Sequence, residues 1–258
     1  MNFFTAALTD AGNFRKNNQD GILARTDRQR GLLLAAVCDG MGGLSDGELA
    51  SAQVIRSLNE WFEILVETKA EDAAETKAAD AAKEIAGLLK KENFLIGDYG
   101  RRNGISLGTT ATIFVLAGSE CAIVHVGDSR VYHVSHSKKA ERLTEDQTLA
   151  AREARRGKMT ALEAQRDKRR NLLLQCVGAS ARVEPEIKTG RVRPGIYIIC
   201  SDGFCNKITD REIAQAFDPA VIESRDDIKK AGKTLIERAR LRGEEDNMSF
   251  AAVKVAEI

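Results

Sequence analysis

Residues 32–43 read LLLAAVCDGMGG: seven apolar residues in a row, then an aspartate and a cluster of glycines. An apolar run of that length bounded by turn formers reads as a buried strand. The same grammar returns twice. CAIVHVG (121–127) delivers Asp128-Ser129, and IYIICS (196–201) delivers Asp202-Gly203. Each places an acid where a buried strand leaves its sheet. Asp20 follows the polar stretch RKNNQ (15–19) at a strand entrance, and Asp246 precedes MSFAAVKV (248–255), so five aspartates hold comparable positions.

Outward from these runs, short apolar or alternating segments at 3–9, 22–26 and 32–37 predict an early meander of strands. Ser45 and Glu48 form a capping box, and Ala50, Val54, Leu58, Phe62 and Leu65 follow at helical spacing. The alanine- and charge-rich stretch 69–91 predicts an antiparallel partner helix that buries Ile85, Leu88 and Leu89. Strands are expected again at 109–116, 121–126 and 130–134, the first two joined as a hairpin by Gly118-Ser119-Glu120. Capping boxes at Thr144/Gln147, Thr160/Glu163 and Thr209/Glu212 announce three helices, the first stopped by Gly157. A strand at 196–200, a helix at 227–241 and a strand at 248–255 complete the reading. Strands interrupted by helix pairs, without strict βαβ alternation, favour an antiparallel α+β layered fold over a doubly wound parallel sheet. With three prolines and no long polar tract, residues 1–258 read as a single domain.

Composition narrows the function classes. Lysine and arginine number 39 against 38 acids, a net charge of +1, which gives no global case for nucleic acid or an anionic membrane. The apolar runs fall far short of the ~20 residues that span a bilayer. The first residues lack the charged n-region of a secretory signal and are expected to belong to the fold. Five cysteines without a CxxC pair read as reduced, buried thiols of a cytoplasmic protein.

The chemistry rests on the aspartates. An Asp-Gly or Asp-Ser after a strand is ordinarily a turn, so any one of them says little. Their repetition says more, because a desolvated carboxylate is costly unless it is paired or binds a cation. His125, His133 and His136 gather on or beside one hairpin and the cysteines lack ligand spacing, which argues against zinc. Oxygen ligands suit Mg²⁺ or Mn²⁺, and a two-metal centre activates water for attack on phosphorus. Arg15, five positions before Asp20, could present a guanidinium to phosphate oxygens; alone it would be an ordinary surface arginine. The glycines of DGMGG let the backbone turn tightly and allow the Gly40 carbonyl to face a metal, but match neither a Walker loop nor GxGxxG.

With these residues assembled, the chain resembles the metal-dependent serine/threonine protein phosphatases of type 2C, in their bacterial single-domain form. RKNNQD (15–20), VCDGMGG (37–43), GTTAT (108–112), VGDSRVY (126–132), LTEDQT (143–148), SDGF (201–204) and EDNMSF (245–250) stand in the family's order. The resemblance implies a four-layer α-β-β-α sandwich, two central antiparallel sheets flanked by helix pairs, with metals in a cleft at one end. It implies two Mn²⁺ or Mg²⁺ ions and a third, weaker site. Asp39 is similar to the bridging carboxylate, with the Gly40 carbonyl on one metal. Asp202 and Asp246 resemble direct ligands, Asp20 an acid that holds a metal partly through water, and Asp128 an acid that joins Asp202 at the third position. Arg15 matches the phosphate-binding arginine. The implied activity is hydrolysis of phosphoserine and phosphothreonine by a metal-bridging water, without a phosphoenzyme.

Three departures stand out. Met41 replaces the histidine that animal members use to protonate the leaving group, which leaves the general acid unassigned. Gln19 replaces an acid beside the metal aspartate, and Gln147-Thr148 replace a histidine and serine in a region expected to be structural. The resemblance also implies a flap at about 146–172. Within it, residues 151–170 hold eight cations and three acids, a net of +5. A solvated helical face explains such a run as well as recognition of acidic flanks around a phosphosite does. The expected partners are a phosphorylated protein and a cognate serine/threonine kinase, with the chain itself a monomer that binds neither nucleic acid nor membrane. Two other functions use the same residues: a two-metal nuclease or small-molecule phosphatase, and a pseudophosphatase that only binds its partner.

Overall fold

The run at 32–38 is continuously apolar because both of its faces are covered. In the computed structural model, which describes residues 2–42, 46–68 and 76–256, Leu32, Leu34, Ala36 and Cys38 face helices. Leu33, Ala35 and Val37 face a second sheet. The chain order begins β1 (Phe3–Asp10), β2 (Asp20–Asp27), β3 (Leu32–Gly42), α1 (Asp46–Thr68) and α2 (Ala78–Asn103). It continues with β4 (Leu107–Thr109), β5 (Ala111–Ala117), β6 (Glu120–Val126), β7 (Arg130–Val134) and β8 (Ala140–Arg142). Then come α3 (Leu149–Arg155), α4 (Ala161–Arg166), β9 (Glu186–Arg191), β10 (Gly195–Cys200), α5 (Asp202–Cys205), α6 (Asp210–Ala216), α7 (Arg225–Leu241) and β11 (Met248–Val255).

These elements form four layers. One sheet runs β1-β11-β10-β7-β8 and the other β2-β3-β5-β6-β9, with β4 paired to β3. All of the pairings are antiparallel. Val54, Leu58, Phe62, Ile85 and Leu89 of α1 and α2 pack on the second sheet. Ile213, Ile228, Leu235 and Ile236 of α6 and α7 pack on the first. The middle core, with Phe114 stacked on Tyr197 at 4.5 Å between ring centroids, joins sheet to sheet. The α+β sandwich is therefore the one the sequence implied.

Some local expectations need correction. The first three strands are not one meander: β1 pairs with β11 in one sheet while β2 and β3 form a hairpin in the other. The strand expected at 109–116 is two, β4 and β5, broken at Thr110. Thr144 and Gln147 do not cap a helix. The Thr144 hydroxyl accepts the N–H of Val131, and Thr148 caps α3 instead, accepting from Ala151 at 3.2 Å. The boxes at Thr160/Glu163 and Thr209/Glu212 are both formed. The second helix starts at Ala78, runs twelve residues past Lys91 and ends on left-handed Gly104. Ser45, Gly43 and the stretch 69–75 lie outside the described residues.

α7 approaches its sheet closely enough that a Cβ on Gly232 would stand 2.1 Å from the ring of Phe250. That ring also meets Phe204 and Phe217 at 5.0 and 5.7 Å. Alanine is the better helix former by about 1 kcal/mol, but the overlap outweighs it. Gly232→Ala is expected to lower the urea unfolding free energy by about 1–3 kcal/mol; an unchanged midpoint would show that α7 can move away from the sheet without loss.

Candidate metal centre

Antiparallel pairing decides where the acids go. β10 is antiparallel to both β11 and β7, so the exit of β10 (Asp202), the entrance of β11 (Asp246) and the entrance of β7 (Asp128) share one end of their sheet. In the other sheet Asp20, opening β2, is the register partner of Asp39 near the end of β3. All five aspartates thus reach the same end of the sandwich. Arg15, on the loop between β1 and β2, places its guanidinium 2.9 Å from Asp246.

The strand ends are fastened by backbone and neutral side chains. The N–H of Asp39 donates to Thr110 Oγ1 at 2.8 Å, and its carbonyl accepts from the N–H of Thr110 and the hydroxyl of Thr109, both at 2.9 Å. Gly40 lies so near Gly47 and Gln19 that a Cβ would stand 2.2 and 2.5 Å from their carbonyl oxygens. Asn247, buried beside Asp246, ties down the Arg15 loop: its amide donates to the carbonyls of Ala11 and Asn17, and its carbonyl accepts from Gln19 N. Ser201 donates to Asp20 at 2.9 Å. The strand-end pattern does not find Asn247, Ser201 or Thr110, because it reads acids; the available signal was a polar residue beside an acid at a buried position.

Among the described residues, no three histidine, cysteine, aspartate or glutamate side chains close on one point as a finished coordination shell. The structure forms pairs. Asp39 lies within electrostatic reach of Asp202. Asp246 turns to Arg15 and Asp20 to Ser201. Asp128 stays within electrostatic reach of Asp39 and Asp202.

These carboxylates keep some solvent access, yet protein surrounds them and their protons are hard to remove. Desolvation, partly offset by hydrogen bonds from Ser249 and Ser201 and reinforced by Asp202 and Asp246, pushes Asp20 up to about 7. Desolvation first, then the charges of Asp20, Asp202, Asp128 and Asp246, raises Asp39 well above the usual carboxylate range. Desolvation and Asp202 do the same to Asp128. Asp202 is raised by desolvation and by Asp246; its Oδ2 accepts from Asn206, while its Oδ1 is buried with no hydrogen-bond partner among the described residues. An orphaned carboxylate oxygen within a crowd of repelling acids fits hard divalent cations bound by oxygen.

The segment after Thr144 is rooted at this centre. Gln147 N donates to the carbonyl of Gly127, next to Asp128, and Gln147 Oε1 accepts from Gly127 N and from Gln175. Thr148 bridges Leu173, so residues 148–173 close on themselves. Both Gln147 and Thr148 are structural here. Beyond the root, Glu153 pairs with Arg152, Arg156 and Lys158, and Asp167 with Arg169. Among the described residues, exposed Arg166, Lys168 and Arg170 form no ion pair.

Comparison with known proteins agrees with this geometry. A family model described as protein phosphatase 2C matches residues 15–237. A putative protein phosphatase 2C-type of Streptococcus pyogenes is 31% identical over 248 residues, 95% of this chain and 94% of that protein. The structure of the serine/threonine phosphatase Stp1 from Staphylococcus aureus superposes with a TM-score of 0.84 at 25% identity, covering 100% and 96% of the two chains. The catalytic domain of the phosphatase PstP in complex with two manganese ions does so with a TM-score of 0.79 at 27% identity, covering 99% of each. The chain belongs to the protein phosphatase 2C family and is a serine/threonine protein phosphatase that depends on Mn²⁺ or Mg²⁺.

The raised acids set a pH dependence of unusual sign. Between about pH 4 and 7 the folded metal-free protein retains a proton on Asp20 that the unfolded chain gives up, so stability falls as pH rises through that window. Cation binding needs the deprotonated carboxylates and strengthens over the same range. Melting scans are expected to show Tm falling from pH 5 to 8 in chelator, and the increment from added Mn²⁺ growing. A metal-free Tm that rises steadily to pH 8 would contradict the assignment.

Proposed function

We propose that residues 1–258 form a single catalytic domain in which Asp39 and Asp202, with Asp246, Asp20 and the Gly40 carbonyl, hold two divalent cations, and Asp128 with Asp202 a third, weaker one. The buried Asp202 Oδ1, unpartnered among the described residues and within reach of the repelling charge of Asp39, carries this reading. Bound there, such cations supply Lewis acidity and a nucleophilic water near neutral pH for in-line displacement at phosphorus. Arg15 binds the phosphate oxygens: its side chain is 54% exposed at the rim and offers N–H donors beyond the one on Asp246. Met41 carries no proton to give. Buried His125 is held by Thr112 and the Glu145 carbonyl, and burial lowers its pKa. The leaving seryl or threonyl oxygen therefore takes its proton from solvent.

The phosphoprotein substrate is met by the flap at about 146–172, whose unpaired Arg166, Lys168 and Arg170 favour phosphosites with acidic flanks. A kinase acting on the same sites and a monomeric working state belong to this reading. Among the described residues no helix is long and apolar enough to cross a membrane. Five free cysteines support a reducing compartment such as the cytoplasm.

Asp39→Asn and Asp202→Asn are each expected to lower Mn²⁺-dependent phosphate release from a phosphothreonine peptide by about 10³-fold, the loss of several kcal/mol of transition-state stabilisation. Wild-type turnover in a metal-stripped buffer would reject the mechanism. For the flap, kcat/KM should favour acidic over basic flanks by about fivefold at low salt, in line with exposed pairs of roughly 1 kcal/mol, and the preference should vanish in 0.5 M salt (about 4 Å of screening length) and in a variant with Arg166, Lys168 and Arg170 changed to Gln. Equal rates on both peptides would dismiss flap selectivity.

A further inference from the structure

The connection from α7 to β11 passes through Glu244, an acid outside the strand-end pattern. Glu244 is 7% exposed. One carboxylate oxygen, Oε1, accepts the N–H groups of Glu245 and Asp246 at 3.1 and 3.2 Å, and so shapes the turn that presents Asp246. The other, Oε2, is buried with no hydrogen-bond partner among the described residues. Asp202 Oδ1 is in the same condition, and the two carboxylates feel each other's charge.

Shaping a turn explains only half of this. A neutral acceptor would serve the two N–H groups equally well, and it would not leave a second, negatively charged oxygen out of water. Such an oxygen is costly unless something positive faces it. Lys207 acts on Glu244 electrostatically, yet no ion pair joins them. Two partnerless oxygens on carboxylates within electrostatic reach of each other ask for the same remedy, a cation on the Asp202 side of the centre.

We propose that Glu244 is a positioning residue for the cation site, holding the Asp246 peptide with one oxygen and adding negative charge behind Asp202 with the other. The proposal rests on the cation assignment made above. Glu244 acts through Asp202 and Asp246, and its charge raises the affinity for the ion at the expense of the metal-free fold. It also returns to the centre a negative charge of the kind that Gln19 does not provide.

The test separates charge from turn geometry. Glu244→Gln keeps an acceptor for both N–H groups and removes the charge, whereas Glu244→Asp keeps the charge on a shorter arm. Calorimetric titration of Mn²⁺ into the metal-free proteins, with melting curves in chelator, reads both consequences. Glu244→Gln is expected to bind Mn²⁺ about tenfold more weakly while its metal-free Tm stays equal or rises. Glu244→Asp should stay within about threefold of wild type, roughly 0.65 kcal/mol by the tenfold-per-1.4 rule. Wild-type affinity in Glu244→Gln, or equal losses in both variants, would overturn the role. Should wild type take up no Mn²⁺ at all, the cation assignment itself falls, an outcome distinct from the first two.

Discussion

Like charges crowded at one end of an apolar sandwich are the constraint on which the structure turns. Asp39 feels four other aspartates, and desolvation adds to their repulsion. Left to a flexible backbone, these side chains would separate into water. They stay together because four of them adjoin strands buried on both faces and Asp20, on the half-buried edge strand β2, is held in register with Asp39; moving a strand end would pull Leu33, Val37, Ile199 or Val253 out of a close-packed core. Hydrophobic burial in the layers supplies the stability, and the aspartates use part of it to hold a site in tension.

The fastening of that site is almost entirely neutral. Asp39 is held through its own peptide by Thr109 and Thr110, and the Arg15 loop through the amide of Asn247. These backbone and amide clamps fix Asp39 and the Arg15 loop without engaging the Asp39 carboxylate or Asp202 Oδ1, which stay available as ligands. A lysine or arginine in place of Asn247 could bind the same carbonyls, but it would neutralise the acids and compete with a cation for them. Among the described residues, the one arginine paired with any of these five aspartates, Arg15 on Asp246, sits at the exposed rim, where exchange with a phosphate is cheap.

What was legible follows from the same physics. The strands that end on aspartates were readable because they are continuous apolar runs, and the helices because Val54, Leu58 and Phe62 repeat at helical spacing against a core. β8 and β9 were not: AER and EIKTGR lie at sheet edges with mostly exposed side chains, and carry no hydrophobic period. Thr144 misled because a threonine followed by a glutamine three residues on looks the same whether its hydroxyl caps a helix or, as here, a strand N–H. The partner of β1 was invisible locally, since pairing with β11 spans nearly the whole chain. Glu244 carries no such mark, because no apolar run leads into it; its meaning lies in the charge of Asp202, far away in sequence.

The basic segment shows how one chain can keep opposite charges apart. Its root meets the acidic centre at Gly127, one residue from Asp128, through the amides of Gln147 and Gln175 and backbone, beside a bidentate Arg130–Asp146 pair whose charges offset each other. Its cations begin only past the root, and those of the first turn are taken up by Glu153 and Glu145. Unpaired positive charge is thereby displaced to Arg166, Lys168 and Arg170. Had it lain at the root, it would have satisfied Asp128 and weakened any cation there. A phosphoprotein arriving at the cleft meets its attraction on the outer segment and its chemistry on the strand ends, and a root whose charges are paired lets the two coexist without one titrating the other.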